Sequence, residues 1–196
     1  MRDSGLLWYD LAWFFVIERI MRAFREAKMD RVVRVSGGTV DFNPADTPNV
    51  PLVFLGGPAS SSHDWRVRAI EVLCALKPDL VVAVPRFLEQ NTLHASLAPH
   101  VFWRRTHQFW ASRCGVIFFW FPRINSDFDP SLLELGEWLA THNYRGVKIV
   151  VGIESGFAQE FYIRKRIYDD FRDVPVVSTL EAACRQCVEL LSAPPS

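Results

Sequence analysis

The sequence predicts a doubly wound α/β fold in which helices cover both faces of a five-stranded parallel sheet. From residue 52 onward, five short apolar segments recur, and each is separated from the next by a segment of helical periodicity. These segments are apolar almost throughout, which is typical of strands that are buried on both faces. Strands that alternate with helices pair in parallel, and right-handed crossovers then leave only a few flavodoxin- or Rossmann-like topologies.

The predicted elements follow one another in a regular order after a distinct N-terminal extension. An amphipathic helix is predicted over residues 4–28, and a hairpin is predicted over 31–42. The predicted strands of the sheet lie at 52–55, 80–84, 116–121, 147–151 and 174–177. The predicted helices lie at 62–76, within 87–113, and at 130–142, 158–171 and 180–191. We therefore divide the chain into an extension over 1–48 and an α/β domain over 49–196.

Composition narrows the classes of function. The chain has 196 residues, 49% of them hydrophobic, and its formal net charge is zero. A neutral chain lacks the basic excess typical of a dedicated nucleic-acid binder, so we expect no nucleic-acid partner. The apolar run at residues 6–17 contains Asp10 and is too short to span a bilayer. We therefore expect no membrane-spanning segment, although a peripheral membrane role for the N-terminal helix stays open.

The four cysteines are too few for a disulfide framework. Cys184 and Cys187 have the spacing of a metal or redox motif, but they lie in a predicted helix with no second pair nearby. We therefore predict no metal site and no cofactor. Reduced cysteines indicate a cytoplasmic protein.

The turns that follow the predicted strands carry glycine and polar residues that would meet at one edge of a parallel sheet. These residues are Gly56, Gly57, Pro58, Arg86, Arg123, Asn125, Asp127, Asp129 and Glu154. Asp129 and Pro130 predict a helix start, which places Glu134 on the first turns of a helix just beyond a core strand. Open α/β sheets bind ligands at this edge, so we expect a small-molecule site there. A carboxylate in such a crevice can act as a nucleophile toward a sugar carbon.

Four segments together resemble the nucleoside 2-deoxyribosyltransferase-like family, in a divergent branch that is related to the nucleotide N-glycosidases. The segments are Phe54-Leu55-Gly56-Gly57-Pro58, Asp64-Trp65-Arg66, Phe119-Trp120-Phe121-Pro122-Arg123 and Glu134-Leu135-Gly136-Glu137-Trp138. The resemblance covers about residues 50–192. It implies that Glu134 attacks the anomeric carbon of a nucleoside or nucleotide and expels the base. A covalent glycosyl-enzyme then passes the sugar to another base or to water.

The same resemblance implies roles for further residues. An acidic family residue falls on His107, which either protonates the leaving base or marks a changed or lost activity. Another acidic family residue is replaced by Gly115. Asp127 and Asp129 both lie near the family's aspartate that orients the sugar and the nucleophile. Ser131 lies where some related hydrolases hold a 5′-phosphate, although the family's glycine between that position and the nucleophile is missing. The predicted substrate-binding residues are Gly56, Gly57, Pro58, Trp65, Arg86, Arg123, Asn125 and Ser131.

Other classes of function stay open at this point. The departure at His107 also fits a non-catalytic nucleotide-binding or signalling module, which would retain a ligand without turnover. An unrelated flavodoxin-like enzyme, or a peripheral membrane protein that uses the N-terminal helix, is the third class. We further expect a homo-oligomer, most simply a two-fold dimer, because that helix has a broad apolar face. Alternatively, the helix packs back on its own sheet.

Overall fold

The structure is a computed structural model that describes residues 31–34, 38–39, 50–58, 65–85, 97–123 and 130–193. The helix predicted over 4–28, on which the expected dimer contact depends, lies outside the described residues. Four of the predicted site residues also lie outside them, namely Arg86, Asn125, Asp127 and Asp129.

Within the described ranges the chain forms seven strands and five helices. The strands are β1 (Arg31–Arg34), β2 (Gly38–Thr39), β3 (Leu52–Gly56), β4 (Val81–Val84), β5 (Val116–Phe121), β6 (Ile149–Ile153) and β7 (Val176–Val177). The helices are α1 (Trp65–Leu76), α2 (Leu97–Cys114), α3 (Pro130–Arg145), α4 (Glu160–Asp170) and α5 (Leu180–Ser192). None of these five helices has both the length and the hydropathy of a bilayer-spanning segment.

All seven strands belong to one sheet, in the order β2-β1-β4-β3-β5-β6-β7. The five strands from β3 to β7 pair in parallel, which confirms the predicted parallel sheet. Numbered along the chain, these five have the flavodoxin-like order 2-1-3-4-5. The predicted hairpin is present as β1 and β2, and β1 extends the sheet by antiparallel pairing with β4. Strand order reverses between β3 and β5, so the topological switch point lies at the carboxyl ends of these two strands.

Helices cover both faces of the sheet, as predicted. α1 and α5 pack on one face, and α2, α3 and α4 pack on the other. Alternate residues of β5 belong to the two different cores because successive side chains of a strand point to opposite faces. All six β5 side chains are therefore buried, which explains the continuous apolar run in the sequence.

Two glycines beside the central strands are required by close packing. A Cβ on Gly115 would lie 1.7 Å from the carbonyl oxygen of Leu52 in β3. The acidic residue of the resembled family therefore has no room at this position. A Cβ on Gly152 in β6 would lie 2.2 Å from the indole of Trp120 in β5. Both glycines let neighbouring elements approach more closely than any side chain would permit.

Candidate functional site

Glu134 lies on the second turn of α3, and its carboxylate is held by Arg104 of α2. The guanidinium donates one hydrogen bond from Nε to Oε1 at 3.0 Å and a second from Nη2 to Oε2. The two side chains are only 15% and 21% exposed, with Arg104 the more buried. Such a fork of two charge-assisted hydrogen bonds fixes the orientation of a carboxylate as well as its position.

Arg104 also fixes the depth of this ion pair in the fold. Its guanidinium carbon lies 5.8 Å from the centre of the Phe54 ring, which is completely buried in β3. Phe54 lies two residues before the end of β3, and a strand rises about 3.3 Å per residue. Phe54 therefore lies about 7 Å before the end of a strand that borders the switch point, and the Arg104 guanidinium packs beside this inner part of the strand. The ion pair forms the floor of this edge of the sheet rather than its rim.

A second ion pair joins the same two helices, and it is more exposed than the pair of Arg104 and Glu134. Arg105 donates one hydrogen bond to Glu137, one turn further along α3. The side chains of this second pair are 54% and 47% exposed. Exposed pairs of this kind contribute little to stability, typically about 0.2–1 kcal/mol. The pair of Arg104 and Glu134 differs from it by its second hydrogen bond, its lower exposure and its contact with the sheet.

His107 lies on α2, one turn further from the carboxyl edge of the sheet than Arg104, and is only 5% exposed. Its Nδ1 donates a hydrogen bond to the Trp103 carbonyl oxygen at 2.9 Å, because a carbonyl oxygen can only accept. The imidazole also stacks on the Trp103 indole, with ring centres 3.9 Å apart. These contacts lie within α2, on the same side of the sheet as Glu134. A role of His107 toward a leaving base stays a prediction.

The turn after β3 contains Gly56, Gly57 and Pro58, and its glycines fit against β5. Gly57 has a φ of 125°, in the region that favours glycine, and a Cβ there would lie 2.1 Å from the Trp120 carbonyl oxygen. A Cβ on Gly56 would lie 2.7 Å from the Phe119 ring. Backbone packing thus accounts for both glycines, whether or not a ligand also approaches the turn.

Two buried side chains at the start of α1 hold this turn in place. Trp65 Nε1 donates to the Pro58 carbonyl oxygen at 2.8 Å, and Arg66 Nη2 donates to the Gly57 carbonyl oxygen at 2.7 Å. Trp65 is 7% exposed and Arg66 is 2% exposed. Trp65, a predicted substrate-binding residue, therefore supports the turn through its described contact. Arg66 places a buried positive charge at the switch point, where burial requires hydrogen-bonded partners.

A polar cluster follows β5 and β6 at the same edge of the sheet. The Glu154 carboxylate accepts a hydrogen bond from the backbone N–H of Arg123 at 2.7 Å. The Arg123 side chain passes over Gly156, where an added Cβ would lie 3.1 Å from its Nε. Arg123, a predicted substrate-binding residue, thus lies exposed at the rim of the edge. Ser131 is buried on the first turn of α3, three residues before Glu134.

The chain matches no model of a known protein family and no curated protein. The resemblance to the deoxyribosyltransferase-like family therefore rests on the residues quoted above and stays a prediction. The structure brings Glu134 and Ser131 together on α3, and it places the turn at Gly57 and the side chain of Arg123 at the same edge of the sheet. It places His107 deeper in the helical layer.

The cysteine pair of α5 lies in the core. Cys184 and Cys187 are both fully buried, and burial raises the pKa of the Cys184 thiol to about 12. Burial also raises the pKa of the Cys187 thiol well above its usual value. All four cysteines of the chain are free thiols. Among the described residues, no group of three or more His, Cys, Asp or Glu side chains is arranged to hold a metal ion.

Sequence reasoning missed two residues of this edge, Arg104 and Arg164, and it placed Glu154 at the edge without its partner. No sequence pattern indicated Arg104 as a site residue, because its partner Glu134 lies 30 residues away in the chain. Glu154 followed a predicted strand, but its pairing with the Arg123 backbone depends on β5 and β6 being neighbours. Arg164 of α4 donates a hydrogen bond to the carbonyl oxygen of Ile153, the last residue of β6. It also donates to the Glu160 carboxylate and to the Ser178 hydroxyl. The packing of helices on the sheet positions Arg104 and Arg164, and strand order positions Glu154, and periodicity specifies neither.

Proposed function

We propose that this protein cleaves or transfers the N-glycosidic bond of a (deoxy)nucleoside or nucleotide, with Glu134 as the nucleophile. The observation that supports this most is a carboxylate held in one orientation by Arg104 at the floor of the switch-point edge. Flavodoxin-like sheets bind their ligands at that edge. The resemblance at residues 134–138 supports attack of this carboxylate on a sugar carbon. The proposed reaction uses no cofactor.

The proposed reaction proceeds in two displacements. One oxygen of Glu134 attacks the anomeric carbon while the bond to the base breaks, and the base leaves with the electron pair and takes up a proton. The product of this step is a glycosyl ester of Glu134. Water or a second base then forms a bond to the same carbon, and the ester bond breaks to regenerate the carboxylate. The configuration at the anomeric carbon is retained.

The first experiment is incubation with a panel of nucleosides and nucleoside 5′-monophosphates, with the released base measured by chromatography. Glu134→Gln keeps the size of the side chain and removes its charge, so we expect base release to fall roughly a thousandfold or more. Glu137→Gln is the matched control, because it removes the neighbouring exposed ion pair between the same two helices. A Glu134→Gln variant that releases base at the wild-type rate would rule out the proposed nucleophile.

A second experiment looks for the covalent intermediate directly. A 2′-fluoro nucleoside slows both displacements, because fluorine disfavours the positive charge that develops at the anomeric carbon. We expect the glycosyl-enzyme to accumulate and the peptide that contains Glu134 to gain the mass of the fluorinated sugar. Adding a second base then separates transfer, which gives a new nucleoside, from hydrolysis, which gives the free sugar. A modified peptide elsewhere in the chain would contradict the assignment of Glu134.

A non-catalytic nucleotide-binding module on the same fold is the second candidate. The observation in its favour is that His107, which stands where the resembled family has an acidic residue, is 5% exposed and bonds within its own helix. Calorimetric titration with the same panel separates the two functions. Binding without base release, unchanged in Glu134→Gln, would support the module.

The remaining parts of the proposal concern the setting of the protein. We propose that it works in the reducing cytoplasm, which the four free cysteines support. We also propose that it forms a homo-oligomer, for which the support is the apolar face of the N-terminal segment. Light scattering on the full chain and on a variant lacking residues 1–28 tests that assembly. An unchanged subunit count in the folded truncated chain would exclude the segment as the contact.

A further inference from the structure

Arg104 links three elements at one point of the candidate site. It lies on α2, it pairs with both oxygens of Glu134 on α3, and its guanidinium lies over the Phe54 ring of β3. Only 15% of its side chain is exposed. The guanidinium is therefore fixed by the sheet beneath it as well as by the carboxylate that it binds.

The geometry of this pair leaves the carboxylate able to react. An ionised carboxylate has about four lone-pair sites, two on each oxygen. Arg104 donates one hydrogen bond to each oxygen, so one lone pair on each oxygen stays available. The fork also holds the flexible glutamate side chain in a single orientation before any substrate arrives. Fixing a reacting group in advance removes an entropic part of the barrier.

We infer that Arg104 is the positioning residue of Glu134, and this inference rests on the proposed function. Arg104 orients the oxygen that attacks the anomeric carbon. In the second displacement the bond between that carbon and the carboxylate oxygen breaks, and the electron pair returns to Glu134. Arg104 stabilises the negative charge that develops there, because its donors already point at both oxygens. Arg105 has no equivalent role, since its partner Glu137 lies in an exposed pair.

Steady-state kinetics of Arg104→Ala against the control Arg105→Ala test this inference with the substrate that the panel identifies. We expect Arg104→Ala to lower kcat roughly a hundredfold, with KM within about threefold of the wild-type value. Added guanidinium ion should restore kcat at least about tenfold, because it can occupy the vacated position. Arg105→Ala should stay within about twofold of wild type and show no response to guanidinium.

The outcomes separate this inference from the proposed function. A wild-type chain that releases no base from any substrate overturns both. Wild-type turnover together with an Arg104→Ala kcat within threefold of the Arg105→Ala value overturns the role of Arg104 alone. A large loss with a raised KM and no guanidinium response shows a structural role and also overturns it. If Arg104→Ala does not fold, Arg104→Lys takes its place, and it should lower kcat at an unchanged KM.

Discussion

Gln108 of α2 is a buried amide without a hydrogen-bond partner among the described residues, and replacing it should stabilise the protein. Its side chain is 0% exposed, and neither Nε2 nor Oε1 finds a partner within the described part of the chain. A buried polar group that is left unpaired costs about 1–3 kcal/mol. Gln108→Met removes both polar atoms and keeps the length of the side chain. The imperfect fit of the new side chain costs less than about 1.5 kcal/mol.

The net change follows from these two terms. We expect Gln108→Met to raise the free energy of unfolding by about 1 kcal/mol, the difference between the middle values of the two terms. Urea denaturation should show a higher midpoint at an unchanged slope. Gln186→Met is the matched control, because Gln186 lies half-buried on α5 and its amide donates to Glu189. That control should change the unfolding free energy by less than about 0.5 kcal/mol.

The opposite sign would refute this reasoning. If Gln108→Met lowers the free energy of unfolding by more than about 1 kcal/mol, the amide has a partner, and an internal water is the first to consider. A crystal structure of the wild-type chain would then show density for that water.

Three further predictions concern packing, thiols and pH. Gly115→Ala should lower the free energy of unfolding by about 3 kcal/mol or more because its Cβ would meet a β3 carbonyl oxygen. Gly136→Ala, in open space on α3, should instead raise it by up to about 1 kcal/mol in the same urea titrations. The two core thiols of α5 should react with a disulfide reagent only as fast as the protein unfolds, since burial raises their pKa, and rapid native labelling would contradict their placement. The hydrogen bond from His142 lowers the pKa of the Asp173 carboxyl, so its stabilisation should be complete above about pH 5 and lost as the pH falls through the lowered pKa. For this largely exposed carboxylate, wild type and Asp173→Asn should differ by about 0.5 kcal/mol near pH 5.5, and the difference should shrink as the pH falls through the lowered pKa.

The sheet could be predicted from the sequence because strands that are buried on both faces are continuously apolar. A strand covered by helices on both sides needs apolar residues at every position, and β5 was predicted with the bounds that it has. The bounds of β6 were less accurate, since a strand begins where its pairing begins. Ile149 pairs with Ile117 of β5, so the strand starts at Ile149 rather than at Val147. An apolar pattern shows that a segment is buried but not how it is paired.

The site was harder to predict because the same residue types serve packing and binding. The glycines of the β3 turn were predicted to bind substrate, and the structure shows Gly56 fitting against Phe119 and Gly57 fitting against Trp120. A glycine in a sequence indicates that something lies close to the backbone, without indicating what it is. The position of Glu134 on a helix after β5 could be predicted from Pro130 and the strand before it. Its partner Arg104 could not, because the spacing of α2 against α3 has no periodic signal.

The ion pair of Arg104 and Glu134 is difficult to explain by stability alone. Its two side chains are 15% and 21% exposed, so both groups lose much of their hydration on folding. Well-packed apolar side chains of similar volume often stabilise a fold as well as a buried ion pair does, or better. The neighbouring pair of Arg105 and Glu137 links the same helices while both groups stay largely hydrated. A charged pair at the floor of the switch-point edge is accounted for more fully if the carboxylate has chemistry to perform there, because a nucleophile must be charged, oriented and within reach of a ligand at that edge.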